Sequence, residues 1–422
     1  MKMSNVSISH AWLSAVILLL ALILLSCSKP MPEEGTWTGT LALPEARRLP
    51  FQMYLDLRSI APTGHFINGP ERTPIPEIYR RGDSLIFVFS EYGAAMRGVW
   101  KNGRLSGEFL RFRRDTISMS FAAQPSPEAP DTARAASELL PPLAGKFQVY
   151  FRKDDLVDSS TTATFWTRGD SVFGTFIAPD GDLGLLAGKR SAGTLFLSRF
   201  TGWQANMLEL RHEQGHWRGK YYARTSVPVF FSIEPRTSLL KEAGDARKTT
   251  MKDPKKKFLF SGVRIMGDTL TQADVRFKGK ALIVDIMGTW CHNCMDAAPL
   301  LEQLHREFKN KGLEVVGLSF ELSDDFATAR KNLLLYEERY GVTYTLLFCG
   351  TTERANVDAR LHSQLNNFFA YPTTLFIDPK GLVRDVHVGF KGPGTGEEYQ
   401  RQVQLFYDSV RKLLKGKLAS KK

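Results

Sequence analysis

Cys291 and Cys294 stand two residues apart in the run VDIMGTWCHNCMDAAPLL, residues 284–301. Two thiols at this spacing can ligate a metal, form a static bridge, or cycle between dithiol and disulfide. A structural zinc site needs four ligands. The other downstream cysteine, Cys349, ends the apolar run YTLLFC, and His292 and His305 lack a His-x3–5-His spacing. A static disulfide across so short a loop removes little chain entropy. Redox cycling is the chemistry these residues suit, and it requires one sulfur that ionises readily and a second within its reach.

The flanking elements supply both conditions. ALIVDIMG, ending at Gly288, is a continuous apolar run that reads as a buried strand. CMDAAPLLEQLHREFKNKG places apolar residues at Leu300, Leu301, Leu304 and Phe308, with Gly312 as a stop, and reads as an amphipathic helix. Cys291 then falls where the strand ends and the helix begins, so free N–H groups and the positive end of the helix dipole favour its thiolate. Cys294, one turn further on, can attack the first sulfur and resolve a mixed disulfide. Beyond lie LEVVGLSFE, a second buried strand closing at Glu321, and a helical stretch from Asp325 to Tyr340. Then come YTLLF, TTLFID, the turn PKG, VRDVHVG and a last helix from Glu397 to Leu414. The order βαβ then ββα implies an α/β domain with a parallel-rich sheet and an antiparallel edge.

Three features together resemble the thioredoxin superfamily, and within it the TlpA/ResA-like exported thiol-disulfide oxidoreductases. They are WCHNC after a buried strand, Pro299 five positions beyond the second cysteine, and YPTTLFID with its proline at 372. The resemblance covers roughly residues 257–415. It implies a thioredoxin-like fold in which Cys291 attacks and Cys294 resolves. Asp285, six positions before Cys291, matches the buried acid that exchanges a proton with the second cysteine. Pro372 matches the cis-proline whose loop pairs with substrate backbone. Trp290, His292, Asn293, Tyr371 and Thr373 are the implied substrate contacts. No cofactor and no metal are implied; protein disulfides are the implied substrates and a membrane thiol reductase the electron donor.

Upstream, from Gly35 to about Pro235, short alternating runs such as FQMYLDL, SLIFVFSEY and TFWTRGDSVFGTFIA are broken by Gly, Asp and Asn. Period-two alternation with frequent turn signals predicts an all-β region, an antiparallel sandwich or barrel. It repeats weakly. RGDSL at 81–85 answers RGDSV at 168–172, and NGRLSGEF at 102–109 answers QGHWRGKY at 214–221. Two related β lobes are expected. The RGD triplets read as tight turns between strands, not adhesion motifs, and Trp37 in GTWTG as a buried strand opener. With no cysteine after Cys27, the β region is expected to fold by itself and carry no redox chemistry. The multidomain order is thus a signal segment at 1–27, β lobes at 33–123 and 143–236, linkers at 124–142 and 237–256, and the thioredoxin-like domain at 257–417.

Lys2, an apolar run from Ala11 to Leu25 and LLSC ending at Cys27 form an export signal too short to span a bilayer. The segment resembles a bacterial lipoprotein signal, which implies that Cys27 is lipidated and that the chain faces the periplasm of the cell envelope on a membrane tether. The net charge of +12 gathers in ARKTTMKDPKKKF (246–258) and RKLLKGKLASKK (411–422), runs without the interleaved aromatics of a nucleic-acid platform. Export also argues against nucleic acid as a partner. Three functions fit: a reductant or isomerase of protein disulfides, a thiol oxidase of the same fold, or a binding protein whose β lobes recruit a partner with the redox domain secondary.

Overall fold

The computed structural model describes residues 30–112, 116–126, 140–153, 156–190, 193–236 and 248–419. The expected signal segment with Cys27, and most of the two expected linkers, lie outside the described residues.

Nine strands between Glu34 and Pro125 form one antiparallel sheet, in which the opening strand Glu34–Ala42 pairs with both Arg48–Asp56 and Thr116–Pro125. The sheet curls into a half-barrel over Trp37, Leu55, Phe66, Phe87 and Phe109, all fully buried. Residues 145–235 form a separate sheet that closes on itself. Their strand Gly145–Lys153 pairs with Val229–Pro235 as well as with Thr162–Arg168, so eight strands close into a barrel without free edges. Alternate residues, among them Val149, Phe165, Leu197, Leu208 and Phe231, fill its interior.

The turns are those the residues dictate. Asn102-Gly103 and Gln214-Gly215 both adopt positive φ at both positions (53° and 77°, 51° and 82°), the twist that matches a two-residue hairpin. The two RGD triplets also form turns: Gly82-Asp83 lies inside the pair Arg81↔Ser84, and Gly169-Asp170 inside Arg168↔Ser171.

Half-barrel and barrel are fused, not merely adjacent. Asn68 exchanges two hydrogen bonds with the Phe200 backbone, and Glu209 accepts two from Arg47 at 2.8 and 3.0 Å. The Phe200 ring sits among Phe51, Phe66 and Phe109, with centroids 4.8–5.4 Å away.

The C-terminal domain, numbered within itself, has strands β1 (Ser261–Arg264), β2 (Thr269–Thr271), β3 (Ala281–Met287), β4 (Leu313–Glu321), β5 (Thr345–Thr351), β6 (Thr373–Ile377) and β7 (Val383–Val388). They lie in the order β2-β1-β5-β4-β3-β6-β7; β3, β4 and β5 run parallel, and the closing β6–β7 hairpin is antiparallel. Helices α1 (His292–Phe308), α2 (Phe326–Tyr340) and α3 (Glu397–Ala419) accompany the sheet. Asp325 caps α2 by accepting from Ala327 N and Thr328 N, and Gly341 ends it at φ 62°. Thr250–Met251 pairs with Leu365–Asn366, so part of the segment read as a basic linker is bound to this domain.

The β region does not stand apart. One continuous apolar core includes Phe200, Trp203 and Met207 together with Cys291, Cys294 and Met295. Tyr92 donates its hydroxyl hydrogen to Met295 Sδ at 3.2 Å, and Glu91, nearly fully buried, pairs with Arg339 of α2 at 3.1 Å. Lys331–Glu77 and Lys146–Glu397 add outer ion pairs. The expectation of an autonomous β region thus meets a shared core: alternation marks which strand faces are apolar but not which of them close on another domain.

Candidate active site

β3 delivers the chain to Gly288, and the loop Gly288–Trp290 turns it into α1. Cys291 N donates to Gly288 O at 3.0 Å, and Cys291 Sγ then caps the helix by accepting from Cys294 N at 3.3 Å. Cys291 and Cys294 are joined as a disulfide, with Cα atoms 5.2 Å apart. Glu321, at the end of β4, fixes the loop: it accepts from Thr289 N at 3.0 Å and Thr289 Oγ1 at 2.6 Å, and also from the Ser319 hydroxyl. Burial pushes its carboxyl up, against the pull of those hydrogen bonds. Trp290 donates from Nε1 to Phe320 O at 2.8 Å and lies so close over Gly288 that a Cβ there would meet Nε1 at 2.3 Å. Only glycine fits beneath that indole.

The second wall is the Tyr371-Pro372 loop, whose peptide bond is cis. Tyr371 O lies 3.4 Å from Cys291 Sγ, and the Tyr371 ring packs edge-on against Trp290 at 5.4 Å. Trp290 and the Tyr371-Pro372 loop therefore lie beside Cys291 Sγ. Thr373 does not join them: it is fully buried and its hydroxyl donates to Ala370 O at 2.8 Å, so it shapes the loop from beneath. Cys349 is also buried, and burial pushes its thiol up to about 12, which leaves it inert.

Asp285 is fully buried in β3. Its Oδ1 accepts from Thr374 Oγ1 at 2.7 Å, while Oδ2 has no hydrogen-bond partner. Desolvation raises its carboxyl to about 7, against the lowering effect of Thr374. Above it, Tyr336 donates to Cys294 O at 2.9 Å, tying α2 to the first turn of α1.

The β region supplies residues that motif reading did not find. Trp203 lies 6.3 Å from Trp290, stacked on Tyr92 at 5.4 Å and under the Arg111 guanidinium at 3.8 Å. Asn293 Nδ2 donates to Asp180 O at 3.3 Å. Gly181 and Gly184 permit this approach; a Cβ on Gly181 would strike Asn293 Nδ2, and one on Gly184 would lie 2.5 Å from Arg199 Cζ and 2.9 Å from His292 Nε2. His292 and Asn293 thus face the barrel, and Cys291 keeps only 6% of its surface in solvent. The sequence signal was APDGDLG, residues 178–184, which by itself says only turn.

Among the described residues, one group of three potential cation ligands converges: Asp182, His292 and Asp296, whose ligand atoms lie within 4.8 Å of one another. The Arg199 guanidinium faces the same group, so the protein's own cation meets the carboxylates and the chemistry is that of an ion network.

A cysteine pair at a strand-to-helix junction, facing a cis-proline loop on a mixed sheet, defines a thioredoxin-like redox fold. Residues 254–386 match the AhpC/TSA family. Over 128 residues, the chain is 30% identical to the thioredoxin-like protein YneN of Bacillus subtilis (strain 168). Over 127 residues, it is 31% identical to the thiol-disulfide oxidoreductase ResA of the same strain. These matches cover 30% of this chain and 66% and 63% of the relatives, so the chain spans just under two thirds of their length. A solved thioredoxin family thiol:disulfide interchange protein from Chlorobium tepidum TLS aligns with 38% of this chain and 97% of its own, at 23% identity and a TM-score of 0.29.

The Asp285 environment has a measurable cost. The unfolded chain ionises this residue near 3.8, whereas the folded chain keeps the proton to about 7, so stability falls as pH rises between these values. Above pH 7 the buried charge costs about 4 kcal/mol. Asp285→Asn should therefore match the wild type in urea unfolding near pH 4 and exceed it by up to about 4 kcal/mol at pH 8. A difference that does not change with pH would contradict this account.

Proposed function

We propose that the chain is a thiol-disulfide oxidoreductase that reduces or isomerises protein disulfides in the cell envelope, tethered to the membrane through Cys27. The observation that carries this reading is the Cys291–Cys294 pair at the N-terminus of α1, with Tyr371 O of the cis-proline loop 3.4 Å from Cys291 Sγ. The names of the relatives YneN and ResA point the same way.

In the reaction, the Cys291 thiolate attacks one sulfur of a substrate disulfide, and the other leaves as a thiolate. Cys294 loses its proton and attacks Cys291 Sγ, the mixed disulfide breaks, and the second substrate thiol departs. Two electrons have then passed from the dithiol to the substrate. The free N–H groups of the first turn stabilise the attacking thiolate. Asp285, with a carboxyl that titrates near 7 and an unpaired Oδ2, is suited to take the Cys294 proton. A membrane thiol reductase would return the electrons, because each turnover leaves the disulfide behind.

Cys291→Ser should bring insulin reduction to background, and Cys294→Ser should accumulate mixed disulfides that added dithiothreitol releases. Equal trapping by the Cys291→Ser chain would overturn the assignment of the two sulfurs. Intact-mass analysis of the exported chain tests the tether: an acylated N-terminus at Cys27 is expected, and an unmodified one starting elsewhere rules the tether out.

A further inference from the structure

The barrel reaches the redox pair through the segment 180–184, and the residue it inserts is acidic. Asp182 is 6% exposed. Its Oδ1 accepts from Gly184 N at 2.6 Å within the barrel, and its Oδ2 accepts from Gly392 N at 2.6 Å in the loop after β7. Burial raises this carboxyl above its ordinary value, against the pull of the N–H donor on each oxygen and of the Arg199 guanidinium, which favour the carboxylate. Across the interface lie His292, which opens α1, and Asp296, one turn further along it, with His292 Nε2 3.2 Å from Asp296 Oδ2.

We propose that Asp182 is a positioning residue for the redox pair: its carboxylate, delivered by the barrel beside the N-terminus of α1, opposes the Cys291 thiolate and so makes the dithiol a stronger reductant. This rests on the redox reading above and extends it to the β region.

The neighbouring groups decide how much of that charge is felt. Burial and Arg199 hold His292 well below its ordinary value, so the imidazole beside Cys291 brings no positive charge. Burial and the Asp182 charge push Asp296 well above the usual carboxylate range, so of the two acids Asp182, with an N–H donor on each oxygen, is the better placed to carry the charge. Arg199 is the cation facing the group, but its Nη1 is also paired with Glu71 and its Nε donates to Gln204 Oε1 at 2.8 Å. With Arg199 balanced by Glu71, the Asp182 charge is left over, in a site where little water screens it. A group that destabilises the thiolate destabilises the reduced protein, and an active-site pair whose reduced form is less stable has a lower potential.

The test is the exchange of the full-length chain with glutathione, in which protein disulfide and two glutathione thiols give protein dithiol and one glutathione disulfide. Asp182→Asn is measured alone and combined with Asp296→Asn, so that Asp296 cannot take over the charge. In the double variant the equilibrium constant toward protein dithiol should rise about three- to tenfold, up to ~30 mV in potential. Iodoacetamide profiles against pH should show Cys291 ionising at lower pH. Asp182→Glu keeps the charge and should stay near wild type. Tryptophan fluorescence, with Trp203 and Trp290 at the interface, should be unchanged in the variants if docking is intact. An unaltered constant in the double variant overturns the proposal. So does a shift that appears only when fluorescence reports an opened interface, since exposure would then be the cause. A wild-type chain whose cysteines do not exchange with glutathione at all overturns the redox reading itself, and this proposal with it.

Discussion

The proposed chemistry asks the Cys291 sulfur to become an anion, yet the residue keeps only 6% of its surface in water. Burial alone would hold such a thiol in its neutral form. The site resolves this with backbone: Cys291 caps α1 at the positive end of the helix dipole, and Cys294 N donates to its sulfur at 3.3 Å. The surrounding structure either keeps that helix end in place or modulates its field. Glu321 holds the preceding loop through Thr289, Trp290 is locked by Phe320 O, and Tyr336 ties α2 to Cys294 O.

What removes the water is the β region. Tyr92 and Trp203 cover the apolar side near Met295 and Trp290, and the segment 180–184 covers the polar side at His292 and Asn293. Fusion of half-barrel and barrel through Asn68 and Phe200 makes the cover stiff, since neither sheet can shift without breaking paired backbone groups. The buried pair Glu91–Arg339 adds direction. Removing either partner would strand a charge in the interface, which is far costlier than the pair is worth when intact. Any molecule that reaches Cys291 must therefore come in beside the barrel or displace it.

Much of the C-terminal domain was legible because its signals are local. A continuous apolar strand before WCHNC, helical periodicity after it and the TTLFID strand suffice to place β3, α1 and β6, and the Asp325–Tyr340 stretch appears as α2 with Asp325 as its cap. The turns at the two RGD triplets were legible for the same reason. Barrel closure was not, because it depends on residues 145–153 meeting 229–235, and alternation is silent about partners. Asp182 was hidden more deeply. It lies 110 positions before His292, in a stretch whose glycines announce a turn, and only the tertiary fold turns it toward α1. Thr373 was misplaced because strand register, not motif, decides that its side chain points inward.

The central claim is that the β region is docked over the redox pair and forms part of its environment. Its most direct test is the alkylation rate of Cys291 in the reduced full-length chain, compared with a chain limited to residues 248–419, each using Cys294→Ser so that only one site thiol reacts. A bulky maleimide should label the full chain at least about tenfold more slowly, because a buried thiol reacts only when its cover opens. Equal rates in the two chains would contradict the claim and return the β region to the status of an independent neighbour.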